Sequence, residues 1–103
     1  MHIREFQEAS RRRNLRFPGT SLDWTVLEWA GAMCGEAGEA ANVAKKIRSN
    51  GLSSELHQAL AKELADTVSY AALLAAKMTI DLEAAVREKF NEVSEREGMP
   101  DRI

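Results

Sequence analysis

Apolar residues recur at intervals of three and four along almost the whole chain, which is the spacing of amphipathic helices. No segment alternates apolar and polar residues over enough positions to predict a strand. Helix-breaking residues interrupt the pattern at 17–21, 49–54 and 98–100, where proline, glycine, serine and asparagine concentrate. The sequence therefore predicts an all-α bundle of four helices, at about 3–15, 23–49 and 54–77, and from Asp81 to Gly98.

The second predicted helix is long for a small domain, and its apolar positions are mostly small. Ser21 or Asp23 is expected to cap its N-terminus, and Asn50 and Gly51 are expected to end it. Because successive residues are rotated by about 100°, one broad sector collects its apolar side chains: Leu27, Ala30, Met33, Cys34, Ala37, Ala40, Ala41 and Ala44. We expect another helix to approach closely there.

The third helix is apolar on nearly every side over 67–76, which is unusual for a helix at the surface of a monomer. We expect it to be central and to contribute to an oligomer interface. The fourth helix has a good N-cap in Asp81. It is expected to bury an apolar row formed by Leu82, Val86, Phe90 and Val93.

Length and charge narrow the classes of function. The 103 residues are expected to form one domain, residues 1–103, whose core is too thin to dispense with a partner. With 14 basic and 16 acidic residues, the net charge of −2 does not favour binding to a nucleic-acid polymer. The chain has no apolar stretch of membrane-spanning length and no apolar N-terminal leader, so we expect no membrane association and a cytoplasmic location. The one cysteine, Cys34, is expected to be a buried thiol.

Two pairs of acidic residues carry the candidate chemistry. Glu36 and Glu39 on the second helix, like Glu63 and Asp66 on the third, have the spacing that places both members of a pair on one face. Single pairs of this kind are common on solvated faces, but these two lie beside apolar stripes. Antiparallel helices can bring the pairs together, and the carboxylates then repel one another unless a divalent cation binds. Because no Cys or His completes the set, Mg²⁺ is expected, with Mn²⁺ able to substitute.

A magnesium site with open coordination positions suits phosphate chemistry, and basic side chains are then expected nearby. The candidates for phosphate binding are Lys46, Lys89 and Arg96. Each of them also suits a solvated or helix-end role. The candidates for contact with a nucleotide base or sugar are Trp24, Trp29 and Tyr70. Aromatic residues at helical spacing are more often core residues, so both interpretations are kept.

A family resemblance rests on the two acidic pairs and on the later segment KFNEVSER at 89–96. Together they resemble the MazG-type all-α nucleotide pyrophosphohydrolases, which are related to dimeric dUTPases and to phosphoribosyl-ATP pyrophosphohydrolase. The resemblance implies hydrolysis of (deoxy)nucleoside triphosphates between the α and β phosphates, giving monophosphate and pyrophosphate. It implies that the two acidic pairs are the metal ligands and catalytic residues. It also implies that Lys89 and Arg96 contact phosphates and that Tyr70 contacts the nucleotide.

The same resemblance implies that a homodimer or homotetramer completes the four-helix bundle. It leaves open the base, the sugar and the number of metal ions. The number of metal ions is open because many members carry a further glutamate where this chain has Gly35. Two alternative functions stay open for this chain. One is an enzyme of the same fold that acts on another phosphoribosyl nucleotide, and the other is a non-catalytic helical adaptor that is stabilised by a metal ion.

Overall fold

The computed structural model describes residues 1–17 and 23–103, which form an all-α fold as predicted. Its helices are α1 (Ile3–Asn14), α2 (Val26–Asn50), α3 (Ser54–Lys77) and α4 (Leu82–Arg96). The described residues contain no strand. The predicted bounds of α3 are confirmed, and those of the other helices agree to within a turn. No described helix combines the length with the hydropathy that a membrane span requires.

Local signals explain where the helices begin and end. Asp81 caps α4, as the sequence predicts, and accepts a hydrogen bond from the Ala84 N–H at 3.2 Å. Ser53 caps α3 in the same way through the Leu56 N–H at 3.1 Å. Gly51 has a φ of +82°, a left-handed conformation that glycine adopts without strain. The chain can therefore reverse direction between α2 and α3 over residues 51–53.

The start of α2 differs from the prediction. Ser21 lies outside the described residues, and Asp23 stands ahead of the cap. The N-cap is Thr25, whose hydroxyl accepts from the Glu28 N–H at 3.1 Å, while the Glu28 carboxylate accepts from the Thr25 N–H at 3.1 Å. This reciprocal capping box satisfies two backbone donors at once, which explains why the helix begins after Thr25.

The antiparallel α2–α3 hairpin is the main packing unit. α1 lies against α3 and α4 lies against α1, whereas α4 makes few contacts with the hairpin. An ion pair between Arg4 and Asp81, at 2.8 Å, joins α1 to the start of α4. Gln7 adds two hydrogen bonds, donating from Nε2 to the Ile80 carbonyl at 2.7 Å and accepting from the Leu82 N–H at 3.0 Å. The fourth helix is therefore held by α1 rather than by the hairpin.

The small-residue sector of α2 is covered only in part, because Ala30, Met33 and Ala40 are half-buried. α3 packs mainly on the adjoining row of α2, which contains Trp29 and Glu36. Cys34, Ala37 and Ala41 are exposed, so the prediction of a buried thiol is wrong for the single chain, and the predicted helix contact does not extend over the whole sector. The reason is that the bulkier Trp29 row, at the edge of the predicted sector, supplies the larger contact with α3.

The core of the single chain is small. The buried apolar residues among those described are Trp29, Ala72 and Ala75. The apolar row of α4 is only partly covered, with Val86 40% and Phe90 43% exposed, which corrects the prediction that they are buried. The Cα radius of gyration is 16.1 Å, compared with about 13 Å for a compact domain of this length. The helices thus form an open arrangement rather than a closed bundle.

Candidate metal centre

The register of the α2–α3 hairpin places the two acidic pairs opposite each other. Towards the open end of the hairpin, Trp29 on α2 and Tyr70 on α3 have ring centroids 6.0 Å apart. Glu36 follows Trp29 by two helical turns, and Glu63 precedes Tyr70 by the same two turns. Because the helices are antiparallel, the register that pairs Trp29 with Tyr70 also places Glu36 beside Glu63. The aromatic contact and the short turn at 51–53 together bring the carboxylates into one volume.

Three carboxylates form the acidic cluster, which consists of Glu36, Glu39 and Glu63. One oxygen of each lies within 4.8 Å of the others. Glu36 and Glu63 are half-buried and Glu39 is exposed. Oε2 of Glu63 is buried, and no group in the described residues donates a hydrogen bond to it. A buried oxygen without a donor is costly, so an all-oxygen set of this kind fits a hard divalent cation.

Two members of the acidic cluster, Glu39 and Glu63, retain protons more strongly than isolated glutamates do. The pKa of Glu63 lies above its ordinary value, first because of a hydrogen bond with Glu36 and next because of burial. The pKa of Glu39 is raised first by a hydrogen bond with Glu63 and next by the charge of that carboxylate. Crowded carboxylates disfavour full ionisation, which explains why the pKa values of Glu39 and Glu63 are raised. A cation that binds there would displace those protons.

Asp66, the fourth predicted ligand, lies one turn beyond Glu63 on α3. It is exposed and stands outside the group of three. Its negative charge nevertheless contributes to raising the pKa of both Glu39 and Glu63, so it acts on the same volume. The structure therefore brings three of the four predicted acidic residues together and places Asp66 at the rim.

Two of the predicted phosphate-binding residues lie on α4. Lys89 donates to Glu92 at 2.8 Å, and Arg96 donates to Glu97 at 3.1 Å. Both ion pairs are exposed and local in sequence, so they contribute little to stability. Lys89 and Arg96 can therefore leave these carboxylates for another anion at small cost. Within the chain, α4 is held against α1 rather than against the acidic cluster. The role of Lys89 and Arg96 in phosphate binding stays a prediction.

The third predicted phosphate-binding residue, Lys46, lies on α2 two turns beyond Glu39. It lines an open cavity of about 390 Å³ together with Asn42, Lys45, Ser49 and Asn50. Sequence reasoning selected only Lys46 and missed Asn42 and Lys45. The signal that finds them is their helical spacing of three and four residues, which puts all three on one side of α2.

The predicted base-contacting residues form one aromatic group. Trp29 lies between the other two rings, with its centroid 4.7 Å from that of Trp24. Trp29 is only 1% exposed, and its Nε1 has no acceptor among the described residues. Trp24 and Tyr70 are half-buried. The accessible aromatic surface of this group therefore belongs to Trp24 and Tyr70, and contact with a nucleotide stays a prediction.

Comparisons of the chain with family models, with curated proteins and with solved structures find no match. The resemblance to MazG-type enzymes accordingly depends on the residues named above. It stays a hypothesis.

Proposed function

We propose that this chain is a Mg²⁺-dependent pyrophosphohydrolase of the MazG type, which hydrolyses (deoxy)nucleoside triphosphates between the α and β phosphates. The products are the nucleoside monophosphate and pyrophosphate, and the role is sanitation or adjustment of the nucleotide pool in the cytoplasm. The observation that carries the proposal is the convergence of Glu36, Glu39 and Glu63 within 4.8 Å. No ion pair among the described residues involves any of the three, so their charges are not compensated within the chain.

The acidic cluster and Asp66 would hold the cation. When bound, Mg²⁺ would supply positive charge to phosphate oxygens and lower the pKa of a bound water. One glutamate of the cluster would orient or deprotonate the attacking water. The proposed phosphate contacts are Lys46, Lys89 and Arg96. The proposed contacts with base and sugar are Tyr70 and Trp24, and the buried Trp29, predicted as a third contact, would support these two rings.

A homodimer or homotetramer would complete the MazG-like bundle. Support comes from the accessible surface of the chain, which is 7352 Å², whereas a folded monomer of 11.4 kDa exposes about 5,800 Å². Assembly would cover part of this excess. Assembly would also bring the basic side chains of α4, Lys89 and Arg96, from one copy to the α2–α3 hairpin of another.

The direct test is a panel of each common NTP and dNTP, incubated with Mg²⁺, Mn²⁺ or EDTA, with the products separated by chromatography. We expect metal-dependent formation of monophosphate and pyrophosphate from at least one nucleotide. Formation of diphosphate and phosphate would overturn the assignment of the α–β bond. The preferred base would be identified in the same experiment.

Isosteric variants test the assignment of residues. Glu39→Gln and Asp66→Asn each remove a charge while keeping the size of the side chain, and both are expected to abolish turnover with helix content unchanged. Glu88→Gln on α4 is a matched control, because Glu88 is exposed and outside the cluster. Full activity in either cluster variant would remove that residue from the ligand set.

One observation favours a second candidate. The hairpin exposes apolar surface, as a helical adaptor does when it binds a partner helix. The adaptor hypothesis predicts that Mg²⁺ raises the melting temperature but that no nucleotide is hydrolysed. Action on another phosphoribosyl nucleotide predicts turnover only when such compounds are added to the panel.

A further inference from the structure

The open cavity on α2, about 390 Å³ in volume, is lined by side chains that can all donate hydrogen bonds. This donor cavity is formed by Asn42, Lys45, Lys46, Ser49 and Asn50. It offers two ammonium groups, two carboxamides and one hydroxyl. Within the part of the chain that the structure describes, neither lysine forms an ion pair. The donor cavity therefore suits an anion with several oxygens, such as a chain of phosphates.

Two other open cavities carry charge of both signs and suit an anion less well. One of about 690 Å³ lies between α1 and α4, where Arg87 is accompanied by Glu5 and Glu83. The other, of about 300 Å³, includes Glu8 and Asp81. Carboxylates at these positions would repel a phosphate. No carboxylate is found among the described residues that line the donor cavity.

The donor cavity lies on the flank of α2 that also carries Glu39. Glu36 faces α3 across the hairpin. Relative to Glu36, Glu39 is rotated by about 60° around the helix axis, and Lys46 and Asn42 are rotated in the same sense by about 80° and 120°. Along the axis, Asn42 and Lys46 follow Glu39 by about 4.5 Å and about 10.5 Å. The donor cavity therefore begins within one turn of the acidic cluster, on the flank where Glu39 is exposed.

Three groups of side chains follow one another along the hairpin. The rings of Trp24 and Tyr70 lie towards its open end, the acidic cluster follows, and the donor cavity lies closest to the turn at 51–53. A nucleoside triphosphate presents matching chemistry in the same order. Its base can stack on aromatic rings, its inner phosphate can share a metal ion with carboxylates, and its outer phosphates carry negative charge that ammonium groups bind.

We propose that the donor cavity binds the β and γ phosphates of the nucleotide, while the base points towards Trp24 and Tyr70. This inference rests on the proposed function and gives its substrate a direction along α2. It adds Asn42 and Lys45 to the residues that bind phosphate, and it assigns Lys46 to the outer phosphates. A monophosphate has no group that reaches the donor cavity. The cavity therefore favours triphosphates over monophosphates and retains the pyrophosphate product.

Inorganic pyrophosphate is the probe for the donor cavity, because it carries two phosphates without a base or sugar. Isothermal titration calorimetry measures its affinity in the presence of Mg²⁺. Lys45→Gln is expected to weaken binding by about tenfold, since a charge-assisted hydrogen bond is lost. Asn42→Asp keeps the size of the side chain but adds a negative charge, so it should also weaken binding. Both positions are exposed, so the fold should tolerate either change, and circular dichroism checks the helix content.

Arg48→Gln is the matched control for loss of a positive charge. Arg48 is exposed in the last turn of the same helix, but it does not line the donor cavity. Its rotation from Glu36 is about 120° in the sense opposite to that of Glu39. This variant should bind pyrophosphate as the wild type does. Equal losses in Lys45→Gln and Arg48→Gln would reveal only general attraction to the helix end and would overturn the inference, as would a wild type that does not bind pyrophosphate.

The direction of the nucleotide is tested with an α,β-imido nucleoside triphosphate, which resists cleavage at that bond, and with the corresponding monophosphate. Lys45→Gln is expected to weaken the binding of the triphosphate and to leave that of the monophosphate unchanged. An equal loss for the monophosphate would place the α phosphate or the base at the donor cavity and overturn the proposed direction.

The nucleotide panel is run on the same proteins, so that the two proposals can fail separately. Hydrolysis by a protein whose Lys45→Gln variant binds pyrophosphate normally would keep the enzyme proposal and overturn the role of the donor cavity. Pyrophosphate binding that depends on Lys45, in a protein that hydrolyses no nucleotide, would support the phosphate site and overturn the enzyme proposal.

Discussion

Trp29 on α2 and Tyr70 on α3 meet with ring centroids 6.0 Å apart, in the same antiparallel register that brings Glu36 opposite Glu63. The packing of the aromatic rings and the grouping of the carboxylates therefore depend on the same register. Packing energy from the aromatic rings holds together carboxylates that would otherwise repel one another.

Removal of a cluster carboxylate should stabilise the metal-free protein and weaken its response to metal. In EDTA, Glu39→Gln is expected to melt at a higher temperature than the wild type, because a like charge has been removed from the cluster. With Mg²⁺, the wild type is expected to gain melting temperature while Glu39→Gln gains little. Differential scanning calorimetry measures both, with Glu88→Gln as the control that should follow the wild type. Equal gains in all three proteins would place the cation elsewhere.

The stability of the metal-free protein should depend on pH in the direction set by the raised pKa values of Glu39 and Glu63. The folded state binds these protons more tightly than the unfolded chain, so the cluster's penalty is relieved as pH falls through the raised pKa values. The penalty is absent below the ordinary glutamate pKa, about 4.3. The difference in melting temperature between Glu39→Gln and the wild type in EDTA should therefore shrink from neutral pH downwards. A difference that is constant over this range would contradict the coupling.

The N-cap of α2 can be tested by exchanging its hydroxyl. Thr25→Ala removes the acceptor for the Glu28 N–H and should lower the free energy of unfolding by about 1 kcal/mol. Thr25→Ser keeps the hydroxyl and should lose much less. Asp23→Ala is expected to be nearly neutral, because Asp23 stands ahead of the cap. Urea denaturation monitored by circular dichroism measures all three, and a larger loss at Asp23 than at Thr25 would contradict the assignment.

Trp29 should be the most sensitive single position of the hairpin. It is 1% exposed, and truncation of a buried tryptophan to alanine costs about 3–5 kcal/mol. Trp29→Phe preserves a ring and should cost less. If the aromatic contact sets the register, Trp29→Ala should also lose part of the melting-temperature gain with Mg²⁺. Trp24→Phe, at a half-buried position, serves as the control that should retain that gain.

Several features of the site are predictable from local sequence. The spacing within each acidic pair and the absence of Cys or His partners already indicate an oxygen-ligand site. The residues of the capping box, Thr25 and Glu28, also have the spacing of that motif in the sequence, and they place the start of α2 later than a cap at Ser21 or Asp23 would. Cys34 shows the limit of local patterns, because an apolar helical position is buried only if another helix covers it.

The sequence by itself determined the helices, since helical periodicity, caps and breakers act within a few residues of the chain. It also determined which carboxylates share a helix face. Only the tertiary structure decided that α3 packs on the Trp29 row of α2, that Asp66 stands at the rim, and that α4 is held by α1. These outcomes depend on the competition between alternative apolar rows and on the register of an antiparallel pair. Both are settled by contacts between residues far apart in the chain, which no local pattern encodes.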